Sequence, residues 1–320
     1  MLLSFVLVFM IGFAAHRASL CTVRAVMQWV DERQTSILVS FTKAVAWACW
    51  LAGVFVLLGL PFKDLPLAHS VWWLSVVGGF LFGIGAAING GCSLSTLQKL
   101  ADGDASLLLT LAAFVLGVAL AVTTESHWLS LTLQPQTLWW VTLPAPLQWS
   151  LVAVLTLWAA RELTQLWRSR ARDQTAWQRL LAPRYSLAFS AMLLGVFSGL
   201  LFLLEGMWTY TNYLRAQTSA LQIHTAAPGL WRAVLLGALF LGMLASSLQR
   251  RSYQRRALLR HNGYRRFFGG LLMGAGSALV PGGNDTLLLV LIPTLSLQAL
   301  ASYLALLAGV ASVMQLMRRT

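Results

Sequence analysis

Residues 78–95 read GGFLFGIGAAINGGCSLS, and residues 269–280 read GGLLMGAGSALV. The two stretches carry the same residue at six positions, which are the pairs Gly78 and Gly269, Gly79 and Gly270, Leu81 and Leu272, Gly83 and Gly274, Gly85 and Gly276, and Ala87 and Ala278. Glycines at this spacing are common in membrane helices because small residues let two backbones approach closely. One copy alone would indicate helix packing. Two copies, each followed by Gly-Gly and then a polar residue, indicate an internal repeat.

Both copies are followed by residues that interrupt a helix. Asn89-Gly90-Gly91 follows the first copy, and Pro281-Gly282-Gly283 follows the second. In a helix interior, glycine costs about 1 kcal/mol and proline about 3 kcal/mol relative to alanine. A one-residue slip at Pro281 aligns Gly90-Gly91-Cys92 with Gly282-Gly283-Asn284, so we expect new helices to begin at about Cys92 and Asn284. The unpaired N–H groups and the positive dipole end of such a terminus favour an anion.

The composition is that of a membrane protein. The chain has 320 residues, of which 58% are hydrophobic and 10% are charged, whereas a soluble domain carries about 25% charged residues. This excludes an ordinary soluble enzyme, a disordered protein and a nucleic-acid-binding domain. The net charge of +13 comes from 23 Lys and Arg against 10 Asp and Glu. We therefore expect a lipid bilayer, and no nucleic acid, as the partner of this basic surface.

The apolar segments predict how often the chain crosses the bilayer. A crossing helix needs about 20 mostly apolar residues, and nine crossings are predicted, at about 2–16, 37–60, 71–98, 106–123, 138–160, 185–204, 231–249, 267–292 and 296–316. The Arg-rich segments 17–33, 161–184 and 250–266 then fall on the same side as the C-terminal Arg318 and Arg319. Because basic residues collect in cytoplasmic loops, the N-terminus is expected outside and the C-terminus in the cytoplasm.

This topology makes the two copies inverted, since 71–98 would run inward and 267–292 outward. The predicted fold is all-α: a single polytopic membrane domain with two inverted repeats of four spans, at about 1–123 and 185–317, on either side of a connecting span at 138–160. Inverted repeats with broken, re-entrant half-helices are typical of secondary transporters, in which the substrate site lies near the midplane.

The three cysteines have no CxxC spacing, which argues against a disulfide scaffold or a zinc site. Cys49 lies in AWACWLAG among apolar neighbours and is interpreted as a packing residue. Cys92 lies at the first break, where a thiol at a helix N-terminus can donate a weak hydrogen bond, and is interpreted as functional. Cys21 closes the segment GFAAHRASLC, in which a break is less obvious.

The motifs at 12–21, 78–95 and 269–286 together resemble the YeeE/YedE family of sulfur-compound transporters, which includes thiosulfate uptake proteins. The resemblance covers the whole chain in span order. It implies a bacterial inner-membrane protein in which half-helices meet at the centre and cysteines pass thiosulfate along a narrow path through S–H hydrogen bonds. By motif, Cys21 and Cys92 match two of these cysteines. The resemblance also makes a cytoplasmic sulfur-carrier or sulfurtransferase protein plausible as a partner.

The sequence departs from the family pattern where the third cysteine would lie, because it has Gly283-Asn284-Asp285 there. Asparagine can donate hydrogen bonds to an oxyanion but lacks a soft sulfur contact. An ionised Asp285 that faced the path would repel a dianion. Two interpretations stay open: the substrate differs from thiosulfate, or transport is coupled to a proton on Asp285. Helix capping is the simpler role for this aspartate.

The predicted site has two groups of residues. The substrate path is expected to be lined by Cys21, Cys92, Gly90, Gly91, Gly282, Gly283, Asn284 and Asp285. Arg17 and Arg24 flank Cys21 and either mark the inner side of the membrane or attract anions to a cytoplasmic mouth. His16 is interpreted as a boundary residue, and Asp102 as part of an inner loop.

The sequence contains none of the catalytic motifs GxxxxGK[ST], HExxH, CxxCH and GxSxG, so neither a cofactor nor a metal is expected. The predicted function is uptake of a small sulfur-containing anion such as thiosulfate, by a protein that is not an enzyme. The alternative is a membrane thiol-redox or sulfur-transfer enzyme in which Cys92 carries a persulfide. A third reading, a subunit that only anchors a cytoplasmic partner, does not explain why helices should be interrupted.

Overall fold

The computed structural model describes residues 1–62, 67–69, 72–124, 133–135, 139–168, 178, 182–223, 228–256, 263–280 and 282–319. Pro281, at which the sequence alignment slipped by one residue, lies outside these ranges. Apart from one short pair of strands, the described residues are helical or lie in turns and connections.

Six helices make up the part of the chain before residue 125: α1 Leu2–Ala18, α2 Thr22–Glu32, α3 Ser36–Leu57, α4 Trp72–Asn89, α5 Ser93–Ala101 and α6 Leu107–Thr124. They are followed by α7 Trp139–Thr142 and the longer α8 Ala145–Arg168. Two three-residue strands, β1 Leu67–His69 and β2 Leu133–Pro135, pair antiparallel between these helices.

The later part of the chain has a similar succession: α9 Leu187–Glu205, α10 Tyr210–Ile223, α11 Leu230–Gln249, α12 Gly263–Leu279, α13 Asn284–Thr286 with a π-helical continuation over Leu287–Leu291, and α14 Leu297–Arg319. In both parts, a long helix is followed by a short break and then a shorter helix. These pairs are α1 with α2, α4 with α5, α9 with α10, and α12 with α13.

Seven segments within the described ranges are long and apolar enough to cross a membrane: Leu2–Glu32, Ser36–Leu57, Trp72–Ala101, Leu107–Thr124, Leu187–Ala220, Leu230–Gln249 and Leu297–Arg318. The chain therefore fits a multi-pass membrane protein. The other two predicted crossings, 138–160 and 267–292, are not among the seven, and they remain predictions. The first corresponds to α8, which carries Arg161 and Glu162, and the second contains α12, which has only 17 residues.

Two predicted loops contain helices instead. Segment 17–33 contains α2, and segment 205–230 contains α10. The sequence analysis missed α2 because Ser19-Leu20 carries neither glycine nor proline, although Ser19 adopts a left-handed φ of 49°. The second break uses Gly206 at a φ of 64°, a conformation in which glycine commonly ends a helix.

The glycine repeat predicted from the sequence holds the helices together. A Cβ atom on Gly79 or Gly83 of α4 would overlap the carbonyl oxygens of Ser302 and Leu306 in α14. In the same way, a Cβ atom on Gly270 or Gly274 of α12 would overlap the carbonyl oxygens of Thr110 and Phe114 in α6. Small residues thus bring whole backbones into contact in both places.

The helices α4 and α12 also pack on each other in a reciprocal way. A Cβ atom on Gly78 would approach the carbonyl of Gly276, and one on Gly276 would approach the carbonyl of Gly78. Gly85 and Gly269 are related by the same exchange. Around this pair, α1 packs on α11, α3 packs on α9, and α1 also contacts α9.

Candidate functional site

The four shorter helices begin in the buried interior of the protein. Their first residues are Thr22 in α2, Ser93 in α5, Tyr210 in α10 and Asn284 in α13, and the exposed fraction of each is below 4%. Helix α13 contacts both α5 and α10. The interruptions therefore bring the starts of the shorter helices into one buried region, which we call the convergence region.

The break between α4 and α5 is built around Asn89. Gly90 has a left-handed φ of 72°, and the Asn89 side chain spans the turn by donating to the Gly91 carbonyl at 2.9 Å and to Thr96 Oγ1 at 3.0 Å. Lys99 Nζ donates to the Gly90 carbonyl at 2.8 Å, and Arg266 donates to the Asn89 carbonyl at 2.6 Å. The backbone groups that the break frees are thereby satisfied, as a nonpolar surrounding requires.

This break brings the two predicted functional cysteines together. Cys21 precedes α2 and Cys92 precedes α5, so each occupies the N-cap position of a half-helix. The two thiols face each other, and Cys21 Sγ donates to Ser95 Oγ at 3.4 Å. Each sulfur also lies close to a backbone N–H of the other half-helix, at Cys92 and Thr22 respectively. Both cysteines are free and buried.

Cys49 has different surroundings. It packs in a separate apolar cluster with Ala52, Trp140 and Val152, and it has no part in the convergence region. This position agrees with its interpretation as a packing residue.

The break between α12 and α13 is held by hydroxyl and carboxylate groups. Asp285 accepts hydrogen bonds from the Thr211 hydroxyl at 2.5 Å and from the Thr211 backbone N–H at 3.4 Å. The Gly283 N–H donates to the same Thr211 hydroxyl oxygen at 2.8 Å, and the Thr209 and Thr286 hydroxyls lie 2.5 Å apart. Asp285 thus caps the N-terminus of the neighbouring helix α10. A carboxylate is favourable there because it accepts from unpaired N–H groups at the positive end of the helix dipole.

The one-residue slip in the sequence alignment is wrong. The Gly91 N–H donates to the Ala86 carbonyl, and the Gly282 N–H donates to the Ser277 carbonyl, in each case five residues back. Gly91 and Gly282 are therefore equivalent, and the N-cap position that Cys92 occupies in α5 belongs to Gly283 in α13. The slip arose because the two Gly-Gly pairs were aligned, whereas the hydrogen bonds to the preceding helix match Gly91 with Gly282.

The two predicted arginines have different surroundings. Arg17 is 2% exposed; its guanidinium donates to the Ala182 carbonyl and to Gln249 Oε1, and it lies 4.3 Å from the centre of the Phe13 ring. Arg24 is exposed. Of the two, Arg24 is the one whose charge is open to solvent or to a lipid headgroup.

His16 and Asp102, which the sequence analysis assigned to a boundary and to an inner loop, lie together at the C-terminal end of α5. His16 Nε2 lies 3.1 Å from Asp102 Oδ1, and the Ser247 and Ser252 hydroxyls donate to the same oxygen at 2.7 Å and 2.5 Å. Partial burial acts to raise the pKa of Asp102, but hydrogen bonds from His16, Ser252 and Ser247 outweigh it and lower this pKa to about 2. The cluster fixes the C-terminal end of α5 to α1, to Ser247 in the last turn of α11 and to Ser252 just after it.

Sequence reasoning missed several polar side chains of the convergence region. Tyr303 of α14 faces Thr22, Cys21 and Cys92, and Tyr210 faces Ser93, Cys92 and Asp285. The Tyr303 hydroxyl, Thr22 Oγ1, Ser93 Oγ and Asn284 Oδ1 are all buried and make no hydrogen bond of normal geometry. For Thr22, Ser93 and Tyr210 the signal available in the sequence was their place just after a break, whereas Tyr303 lies inside α14. Within the described ranges, no group of three or more His, Cys, Asp or Glu side chains is placed to hold a metal ion.

Comparisons with known proteins give the family. A search of curated proteins gave no match. The family model described as sulphur transport matches residues 17–312, a range that includes the helix breaks and both N-cap cysteines. The chain therefore belongs to the sulphur transport family, the YeeE/YedE family, as its sequence motifs had indicated.

Proposed function

We propose that this protein carries a small sulfur-containing anion, such as thiosulfate, inward across the bacterial inner membrane. The family supports transport of a sulfur compound. The observation that carries the finer proposal is the pair of free thiols, Cys21 and Cys92, that face each other at the starts of two buried half-helices. The proposed path passes these thiols, the glycines Gly90, Gly91, Gly282 and Gly283, and the segment Asn284-Asp285.

The chemistry of the thiol pair suits a substrate that must be released as well as bound. The N-terminal ends of α2 and α5 present N–H groups and positive dipole ends to an anion. Thiols donate weak hydrogen bonds and are polarizable, so they match a terminal sulfur atom better than a hydroxyl does. Conduction requires binding that is weak enough for exit, and weak thiol contacts meet this requirement.

We propose that the protein consists of two inverted repeats, α1–α6 and α9–α14, with α8 as the connecting span. Support comes from the reciprocal contacts of Gly78 with Gly276 and of Gly85 with Gly269, since a twofold relation between α4 and α12 would produce this exchange. The order of long and short helices is also the same in both parts. The Arg-rich segments support an N-terminus outside and a C-terminus in the cytoplasm.

Asp285 has two proposed roles that an experiment can separate. Its hydrogen bonds with Thr211 support a capping role. Proton coupling is the second role: Asp285, Thr209 and Tyr210 border a cavity of about 30 Å³ whose other lining residues are mostly apolar. A volume of this size can hold a water molecule, which a proton needs in order to reach or leave the carboxylate.

A membrane thiol-redox or sulfur-transfer enzyme that uses Cys92 is the alternative. The closeness of two free thiols favours it, whereas the 1% exposure of Cys92 speaks against it because such an enzyme needs an accessible thiolate. On the transport proposal, a cytoplasmic sulfur-carrier or sulfurtransferase protein would receive the anion, and the exposed Arg24 would help to attract charge at that mouth.

The test is uptake of radiolabelled thiosulfate by liposomes that contain the purified protein, with Cys92→Ala as the variant and Cys49→Ala as the matched control. We expect Cys92→Ala to lose most of the uptake and Cys49→Ala to retain it, because Cys49 lies in a separate apolar cluster. Full uptake by Cys92→Ala would remove the thiol role. A stable sulfur adduct on Cys92, found by protein mass measurement after incubation, would favour the enzyme instead.

A further inference from the structure

The thiol pair is bordered by three buried hydroxyl groups that make no hydrogen bond of normal geometry. Thr22 is fully buried, Ser93 is 2% exposed and Tyr303 is 8% exposed, yet none of their side-chain oxygens makes a hydrogen bond of normal geometry in the structure. Buried polar groups are nearly always satisfied, and each exception needs an explanation. Here two of the exceptions, Thr22 and Tyr303, are neighbours, and the third, Ser93, follows Cys92 in the chain.

Together with the Tyr210 hydroxyl, these three groups form two pairs. The Tyr303 hydroxyl of α14 faces Thr22, and both Cys21 and Cys92 are close to it. The Tyr210 hydroxyl of α10 faces Ser93, and Cys92 is close to it. Each pair therefore combines a phenol from one helix with a small hydroxyl from the first turn of another, and both pairs border the thiols.

We propose that these pairs, Tyr303 with Thr22 and Tyr210 with Ser93, donate hydrogen bonds to the oxygen atoms of a tetrahedral sulfur oxyanion whose terminal sulfur contacts Cys21 and Cys92. The inference rests on the proposed function, and it divides the site into an oxygen-binding part and a sulfur-binding part. It makes the two tyrosines residues that determine specificity.

The oxygen-binding and sulfur-binding parts differ in chemistry, as a substrate with both oxygen atoms and a terminal sulfur atom requires. Hydroxyl groups donate directional hydrogen bonds to oxygen without adding charge, so they hold an oxyanion without trapping it. A site built to hydrogen-bond a substrate discriminates strongly against an analogue that lacks the bonding group, because its own polar groups are then left unpaired. Thiosulfate would satisfy both parts, sulfate would satisfy the oxygen part, and hydrosulfide would satisfy the thiols alone.

The Asp285 carboxylate lies near Tyr210 but leaves the Tyr210 hydroxyl able to bind an anion. Asp285 is close to Tyr210, but its two oxygens accept hydrogen bonds from the hydroxyl and the backbone N–H of Thr211. The Tyr210 hydroxyl has Ser93 as its neighbour on α5. An anion that Tyr210 and Ser93 bind together would therefore lie on the α5 side of this tyrosine.

The experiment measures thiosulfate uptake by liposomes that contain the full-length protein, at a series of concentrations and normalised to the amount of folded protein. We expect Tyr303→Phe and Tyr210→Phe each to raise the KM for thiosulfate by about tenfold or more, since a hydrogen bond to a charged group is lost. The maximal rate should change less. Tyr264→Phe is the matched control, because Tyr264 is 60% exposed, and it should behave as the unaltered protein does.

Competition separates the oxygen part from the sulfur part. Excess sulfate should inhibit thiosulfate uptake by the unaltered protein and inhibit the two phenylalanine variants less, whereas hydrosulfide should inhibit all of them equally. Where a tyrosine variant does not fold, Thr22→Ser and Thr22→Val provide the same comparison, because serine keeps the hydroxyl and valine keeps the shape. Only the valine variant should raise the KM.

The outcomes distinguish the two proposals. The oxygen-binding part would be overturned if the KM were unchanged in both tyrosine variants and in Thr22→Val. The thiol path would stay in place if Cys92→Ala still lost uptake. An unaltered protein that carries no sulfur anion at all would overturn the proposed function and this inference with it.

Discussion

The two pairs of half-helices begin in the same buried region and differ in chemistry. In the first pair, α2 and α5, Cys21 at the N-cap contacts Ser95 in the first turn of the other helix at 3.4 Å. In the second pair, α10 and α13, Thr209 precedes α10 as Cys21 precedes α2, and its hydroxyl lies 2.5 Å from Thr286, the counterpart of Ser95. The contact is thus made through sulfur in one pair and through oxygen in the other.

The other matched positions extend this difference. Cys92 has Gly283 as its counterpart, and Leu94 has Asp285, so the second pair has a carboxylate and no thiol. Carboxylate and hydroxyl groups form shorter and stronger hydrogen bonds than thiols do. We therefore infer that the second pair is a fixed support and that the first pair is the adaptable one, which suits it to contact a passing substrate.

The two pairs are also held at opposite ends. Helix α13 is tied to α10 at its start, through Asp285 and Thr211. Helix α5 is tied at its far end, where Asp102 accepts hydrogen bonds from Ser247 and Ser252 and lies beside His16. The thiol end of α5 is held by the amide of Asn89, which donates to Thr96 Oγ1 at 3.0 Å.

The largest effect is expected when the matched N-cap residues, Cys21 and Thr209, are substituted. Cys21→Ala should lower the rate of thiosulfate uptake by about tenfold or more, as the loss of a contact of about 1.4 kcal/mol would, with little change in thermal stability. Thr209→Val should lower the melting temperature and leave the uptake rate nearly unchanged, because it removes a hydroxyl from the fixed support. Melting temperature and uptake, measured on both variants, check the distinction, and equal losses of uptake without any loss of stability would contradict it.

The next effect concerns Asp285. In Asp285→Asn, the amide oxygen can accept from the Thr211 hydroxyl, but the amide nitrogen then faces the Thr211 N–H, so the protein should lose about 1.5–3 kcal/mol of stability. Thermal unfolding in detergent measures the loss. Uptake against pH separates the two proposed roles: an unchanged pH profile leaves capping alone, and a flattened profile supports proton coupling. A variant as stable as the unaltered protein would argue against the capping role.

The equivalent glycines Gly91 and Gly282 give a smaller but direct comparison. Gly282 has a φ of 140°, so Gly282→Ala should cost about 1–3 kcal/mol through backbone strain. Gly91 has no left-handed φ, and a Cβ atom there would approach only side-chain atoms, of which the nearest is Ser95 Oγ at 2.5 Å. Gly91→Ala should therefore cost less stability and disturb uptake more, because Ser95 contacts Cys21. Equal stability losses would break the comparison.

The smallest effect is the pH dependence at Asp102. A carboxyl whose pKa is lowered to about 2 in the folded protein, against about 3.9 in an unfolded chain, contributes stability above that unfolded value. This contribution is lost as the pH falls through the folded pKa. We expect the unaltered protein to melt at a higher temperature than Asp102→Asn at pH 5 and above, and the difference to shrink towards pH 2. A difference that stayed constant over this range would exclude ionised Asp102 as its source.

The sequence predicted the membrane class, the packing glycines and two of the helix breaks, because glycine and proline leave a local signal. It did not predict α2, since the break after α1 uses Ser19 in a left-handed conformation that few residues other than glycine adopt. It also did not predict α10, although Gly206 ends the helix before it. Arg17 could not be placed from its position beside Cys21, because its partners Ala182 and Gln249 are distant in the chain. Tyr303 was missed for the same reason, since it contacts the site from a helix that has no motif.

The contact of α4 with α14 through bare Cα atoms has a mechanical consequence. Where a glycine touches a carbonyl oxygen directly, no side chain is present that could change rotamer to let one helix slide past the other. Rocking one half of the molecule against the other would open gaps along both glycine stripes at once. We therefore expect the long helices to act as a rigid frame, and a cargo to advance by small rearrangements at the half-helix ends, as in a channel with a narrow gate.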